Sequence, residues 1–124
     1  VRAFISVSSD DEIRDFPSIY NVPTNKYVRN NLGKIVADNF SNIYDHYLDS
    51  RDLYPHIGIN LRYSYMYTGS HISDGSLESD NCDGWTSTSS NGMAGSYRPD
   101  TDLRTFGNGA IACTGIHPMM CICF

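Results

Sequence analysis

Two cysteines 31 positions apart, Cys82 and Cys113, bracket a segment rich in Gly, Ser and Thr. It holds too few large apolar side chains to build a core of its own. A covalent tie between the two cysteines is therefore expected to hold it. A zinc site is a poor alternative, because no second Cys-x-x-Cys and no His-x-x-x-His partner accompanies the pair. An apolar run, Met119 to Phe124, follows and reads as a closing strand.

At 124 residues the chain is one domain. Its net charge of −5 argues against nonspecific binding to nucleic acid or to anionic membranes. Seven of the nine cations are Arg, the side chain that forks onto carboxylate, sulfate or phosphate, so a local basic patch is compatible with the overall sign. Nine Tyr fit either a recognition surface or half-buried strand positions. No apolar run is long enough to span a membrane. Val1 stands where an initiating Met would be and no signal peptide precedes it, so the chain reads as excised from a longer protein. Four Cys in a loop-rich domain favour an oxidising compartment.

Val1 to Val7 reads as a strand with Val1, Ala3, Ile5 and Val7 on its apolar face and Phe4 on a partly covered second face. Ser8 to Glu12 supplies a cap signal and an acidic first turn for a short helix. Its stripe is Ile13, Phe16 and Ile19, and Pro17 breaks it. Tyr20 to Val28 is expected to be irregular or an edge strand, and Asn31-Leu32-Gly33 a turn. Lys34 to Ala37 forms a brief strand. Phe40, Ile43, Tyr44 and Tyr47 then recur at helical spacing over Asp38 to Leu48, with Asp38 as cap. From Tyr54 the helical rhythm stops. Ile57 to Thr68 reads as extended, with Tyr63, Tyr65 and Tyr67 on one face. Asp74-Gly75 marks a turn. Thr86 to Ser96 reads as a long loop, and Ile111 to Thr114 as a strand. The pattern predicts an α+β domain, with short helices early and a loop-rich antiparallel sheet late.

Catalytic motifs are missing: no Gly-x-Ser-x-Gly elbow, no His-Glu-x-x-His, no phosphate-cradling Gly-rich loop. His46, His56, His71 and His117 are scattered singly. Asp80 to Gly84 and Asp100-Thr101-Asp102 offer oxygen ligands without EF-hand spacing, so turn capping is the expected role and no metal or cofactor is expected. The cations cluster twice, as Lys26, Arg29 and Lys34 and as Arg98 and Arg104 around Pro99. Solvated surface charge and a polyanion site are both open readings of these clusters. Asn39-Phe40-Ser41 is a formal glycosylation sequon.

The order Tyr67-Thr68-Gly69, Asp74-Gly75, Cys82-x-x-Trp85, Gly92, Gly95, Cys113 and Cys121-Ile122 resembles endostatin and related bacterial lectin-like domains. Arg2 to Ser6 is similar to endostatin's early strand, and Gly33 to Ala37 to the bacterial branch. The resemblance implies a compact C-type lectin-like fold that binds rather than catalyses. It also implies an extracellular or cell-surface place after a collagen-like stalk, as in bacterial collagen-like adhesins, and a homotrimer. The implied ligand is a sulfated glycosaminoglycan of the heparin, heparan or chondroitin sulfate type, or host matrix. Arg104, nine positions before Cys113, lies near where endostatin carries a heparin-binding Arg. Arg98 follows by position, and Lys26, Arg29 and Lys34 by charge alone. An alternative is a protein–protein or trimerisation module packed through its Tyr-rich face. The chain departs from the family in lacking an N-terminal cysteine to pair with Cys121. The Glu-Pro-Asn, Gln-Pro-Asp and Trp-Asn-Asp motifs of calcium-dependent sugar binders are also missing.

Closing a loop of this length contributes on the order of 3 kcal/mol through the entropy of the unfolded chain. Reduction of Cys82–Cys113 is expected to lower stability by about that amount in a denaturant titration, while Cys121 and Cys123 react as unpaired thiols. Recovery of both Cys82 and Cys113 as free thiols from oxidised protein contradicts this.

Overall fold

In the computed structural model, which describes residues 1–45, 65–71, 73–96 and 106–124, the N-terminal segment does not bury the face its alternation suggests. The strand is only β1 (Arg2–Ala3), and Val1 and Ala3 are exposed, whereas Phe4, Ile5 and Ser6 are buried. The aromatic ring decides the orientation, since Phe removes far more apolar area from water than Val or Ala. Phe4 meets Phe16, Phe40 and Phe106 edge-on, at centroid distances of 5.6, 6.2 and 5.5 Å. Ile13, Val22, Ala37 and Ile43 complete this cluster, the main core.

The helix after β1 is short and broken, as expected, but its cap is different. Ser8 Oγ accepts from Asp10 N and Ser8 O from Asp11 N, which closes a tight turn instead of starting a helix. A 3-10 turn (Ile13–Asp15) follows, and its first N–H donates to Ser6 Oγ at 2.9 Å, a cap supplied from seven residues upstream. Then comes α1 (Phe16–Tyr20), with Pro17 in the first turn, where a missing N–H costs nothing. Ile19 stays largely exposed, so the buried stripe is Ile13 and Phe16. The chain then makes a hairpin of β2 (Val28–Arg29) and β3 (Ile35–Ala37).

Helix α2 (Asn42–Asp45) is capped by Asn39, whose side chain accepts from Asn42 N at 3.1 Å, rather than by Asp38. The Asn of the sequon thus has a structural task. Phe40 and Ile43 are buried as the periodicity requires. Tyr47, Leu48, the expected strands up to Ser64, His46 and His56 lie outside the described residues.

Among the described residues the β structure consists of three small antiparallel sheets. β1 pairs with β7 (Cys121–Ile122), β2 with β3, and β4 (Tyr65–Tyr67), β5 (Asn91–Ser96) and β6 (Gly109–Ala112) form the largest in that order. The architecture is α+β with short helices and antiparallel sheets. β5, the longest strand among the described residues, occupies most of the stretch expected to be loop. Its Gly, Ala and Ser composition conceals a strand because the positions are buried: Gly92, Ala94, Gly95 and Ser96 are all inside. A Cβ on Gly92 would sit 2.7 Å from Cys82 Sγ and 3.1 Å from the Tyr67 ring. Small side chains here mark close packing.

Cys82 and Cys113 form the expected disulfide, and Cys121 and Cys123 are free and exposed. The disulfide secures an uncommon element, α3 (Cys82–Trp85), whose residues have φ of 54, 52, 64 and 65° and so wind left-handed. Left-handed backbone costs L-residues about 1–2 kcal/mol each. The ties that offset this are the disulfide, the Asn81 side chain accepting from Gly84 N, and Trp85 Nε1 donating to Ser6 O. The Trp85 ring leans on Tyr67 at 5.3 Å, and Tyr67 in turn on His117 at 5.1 Å. Asp74 acts in its turn, as expected, its Oδ1 accepting from Ser76 N and Oγ, whereas Asp80 contributes its backbone carbonyl, which accepts from Met93 N beside the Asn81–Gly92 bridge.

Tyr44 packs its ring against Phe106 and against Gly75, and its hydroxyl has no hydrogen-bond partner among the described residues. Burial, then the nearby Asp74 and Asp15 carboxylates, push its pKa far above the ordinary value. The folded chain therefore keeps this proton at pH values where the unfolded chain has lost it. The contribution is complete below about pH 10, the unfolded value, and stability falls as pH rises beyond it. Tyr44→Phe is expected to flatten that alkaline loss in melts from pH 8 to 11 at little cost near neutrality. An unchanged alkaline limb contradicts it.

Two glycines with positive φ separate backbone strain from close approach. Gly33 (φ +82°) has open space where a Cβ would go, so Gly33→Ala should cost about 1 kcal/mol. At Gly69 (φ +61°) a Cβ would lie 2.6 Å from Ser6 O and 2.7 Å from the Trp85 ring. Gly69→Ala should therefore cost at least twice as much, on the order of 2–4 kcal/mol. Denaturant midpoints of the two variants check the order.

Candidate functional site

Residues 21–37 carry three cations and no carboxylate, in a chain with five more acids than bases. The structure folds this run into the β2–β3 hairpin and the loop leading to it. Asn30 builds the turn: its Oδ1 accepts from Leu32 N at 2.9 Å and from Lys34 N at 3.0 Å, and its backbone N donates to Lys34 O. Gly33 supplies the left-handed residue, and a register shift between Val28 and Arg29 twists the strand. The base is anchored in the core by Val22, Val28, Val36 and Ala37.

That anchoring leaves the polar face of the hairpin outward. Lys26, Arg29 and Lys34 are exposed, and so is Tyr27, at 58%. Arg29 donates through Nη1 to Gly33 O at 2.8 Å, and its guanidinium sits 5.9 Å from the centre of the Tyr27 ring. These contacts steady the group while leaving most of its five donors available. Lys26 makes no ion pair among the described residues. Arg14, by contrast, is neutralised by Glu12 with Asp15 and Asp74 nearby, and Arg2 lies over the Tyr20 ring at 3.8 Å.

Beside the hairpin, between it and the C-terminal strand, is a pocket of about 600 Å³. Phe4, Phe40, Met66 and Phe106 form its apolar depth, and Lys26, Tyr27, Arg29 and Asn30 one wall. Met119, Cys121 and Cys123 belong to the opposite wall, which β7 holds in place by pairing Ala3 with Cys121. Met120 O accepts from Phe4 N at 2.8 Å, tying this wall to the core segment. The arrangement can bind, through apolar area and positive charge. Among the described residues no group of three His, Cys, Asp or Glu could hold a metal ion, and no helix is long and apolar enough to cross a membrane.

Arg29 and Lys34 thus belong to one hairpin and Lys26 to the loop leading into it, whereas Arg98, Arg104 and the Asp100 to Asp102 carboxylates lie outside the described residues. Tyr27 and the pocket were missed in the sequence. Tyr27 had a readable signal: an aromatic between two cations, close after Pro23, in a run free of acids. The pocket had none, since its walls come from segments about ninety positions apart. Comparison with family models, with curated proteins and with solved structures finds no match for this chain.

Proposed function

We propose that this chain is a non-catalytic binding domain of an extracellular or cell-surface protein, and that it recognises sulfated glycosaminoglycans through the hairpin 26–34. The observation that carries the reading is the segregation of charge: Lys26, Arg29 and Lys34 stand together, exposed, in a stretch without a single carboxylate. A polyanion approaching this face meets positive charge even though the whole molecule is negative. Arg29 offers forked donors to a sulfate, and exposed Tyr27 offers a flat apolar face to a sugar ring. The disulfide Cys82–Cys113 supports an oxidising location. The motif order, which resembles that of endostatin-like domains, supports the lectin-like reading and a homotrimer after a collagen-like stalk. Three hairpins on one assembly then add avidity along a long polysaccharide. The alternative, a protein–protein or trimerisation module, uses the Tyr-rich face, of which Tyr65 and Tyr67 are half-buried.

The test is heparin binding followed across salt concentration, with sedimentation in the same buffers to read assembly. Affinity is expected near physiological salt and to fall steeply as salt rises, because bound counterions are released from the polyanion. Lys26→Ala/Arg29→Ala/Lys34→Ala is expected to weaken binding at least tenfold and to lower the salt slope. Arg98→Ala/Arg104→Ala reads the second cluster. No heparin binding at physiological salt discards the glycosaminoglycan reading. Binding unchanged in the hairpin variant rejects this face as the site.

A further inference from the structure

The pocket beside the hairpin has a chemistry that glycan binding does not use. Its volume of about 600 Å³ falls in the ordinary range for small-molecule sites. Its depth is hydrocarbon and aromatic, from Phe4, Phe40, Met66 and Phe106. Lys26 and Arg29 are among its lining residues, whereas among the described residues no Asp or Glu is, in a chain with 14 acids and 9 bases. Such a wall sets the ligand's two ends. The apolar depth takes a hydrocarbon body through the area removed from water. The cations take an anionic head, which the Arg29 guanidinium matches as a fork and Lys26 as a point charge. A neutral amphiphile forgoes the charge-assisted contacts, and a cationic one is repelled.

We infer that this pocket binds a single-chain amphiphilic carboxylate, a fatty acid of medium length, with its tail over Phe4, Met66 and Phe106 and its carboxylate at Lys26 and Arg29. Cys121 and Cys123, exposed on the opposite wall, provide a built-in reporter of occupancy.

Calorimetric titration with decanoate and decyltrimethylammonium below their micelle concentrations, and with decanol below its solubility limit, tests the inference. Decanoate is expected to bind at one site per chain, decanol about tenfold more weakly, and the ammonium not at all. Decanoate is also expected to slow alkylation of Cys121 and Cys123 by iodoacetamide. In Lys26→Gln/Arg29→Gln, whose altered side chains are exposed and leave the core untouched, decanoate loses its advantage over decanol while decanol still binds. Absence of decanoate binding, equal affinity for decanoate and decanol, or an advantage that survives in the double variant each overturns the inference. Lys34 does not line the pocket, so Lys34→Gln is expected to weaken heparin and leave decanoate unchanged. A chain that binds decanoate without heparin therefore removes the glycan reading alone.

Discussion

One buried serine holds the parts of this molecule in register. Ser6 is fully inside, and each of its polar atoms is spent on a different segment. Its N–H donates to Thr68 O, its carbonyl accepts from Trp85 Nε1, and its hydroxyl lies within hydrogen-bonding distance of Ile13 N, Ser70 Oγ and Gly75 O. A buried polar group without partners costs more than a partnered one gains. The segments around Ser6 are therefore fixed mutually: shifting one strands donors and acceptors on the others. Gly69 belongs to the same constraint, because only a residue without a Cβ lets the chain pass between Ser6 O and the Trp85 ring. The left-handed turn at Cys82–Trp85 is sustained here too, between the disulfide at one end and the Ser6 carbonyl at the other.

Two residues before Ser6, at Phe4, the organising force changes from polar to apolar. Phe4 lies next to Ser6 in alternation, and its ring joins α1, Phe40 and Phe106. The hairpin and the C-terminal strand both lean on this cluster, the former through Val22 and Val28, the latter through Met120 and Ile122. Neither has a wide sheet of its own, since each belongs to a two-stranded pair. An isolated two-stranded hairpin is marginal in water, so the aromatic cluster is what positions both walls of the pocket. The basic face of the hairpin and the pocket beside it share Lys26 and Arg29, so a ligand in either place alters the field at the other.

Local chemistry made much of this legible in the sequence. Asn31-Leu32-Gly33 and Asp74-Gly75 turn as their residue types require, Phe40 and Ile43 bury as their spacing requires, and Cys82 pairs with Cys113 across a segment poor in large apolar side chains. The basic run ending at Lys34 was visible as charge, since charge is a property of the residues alone. Tertiary structure decided the rest, wherever an isolated segment is ambiguous. The face of the first strand depended on which ring could reach Phe16 and Phe106, and those partners are distant in sequence. The Gly- and Ser-rich stretch at Asn91–Ser96 became a central strand because Tyr67 and Cys82 press against it, and smallness alone reads equally well as flexibility. The cap of Ile13 came from Ser6 and not from the acidic run beside it, because buried donors take the partner that folding brings to them. Composition, turn chemistry and net charge are local or additive, and one dimension records them. The pocket and the Ser6 node are relations between distant segments, and only the packed chain contains them.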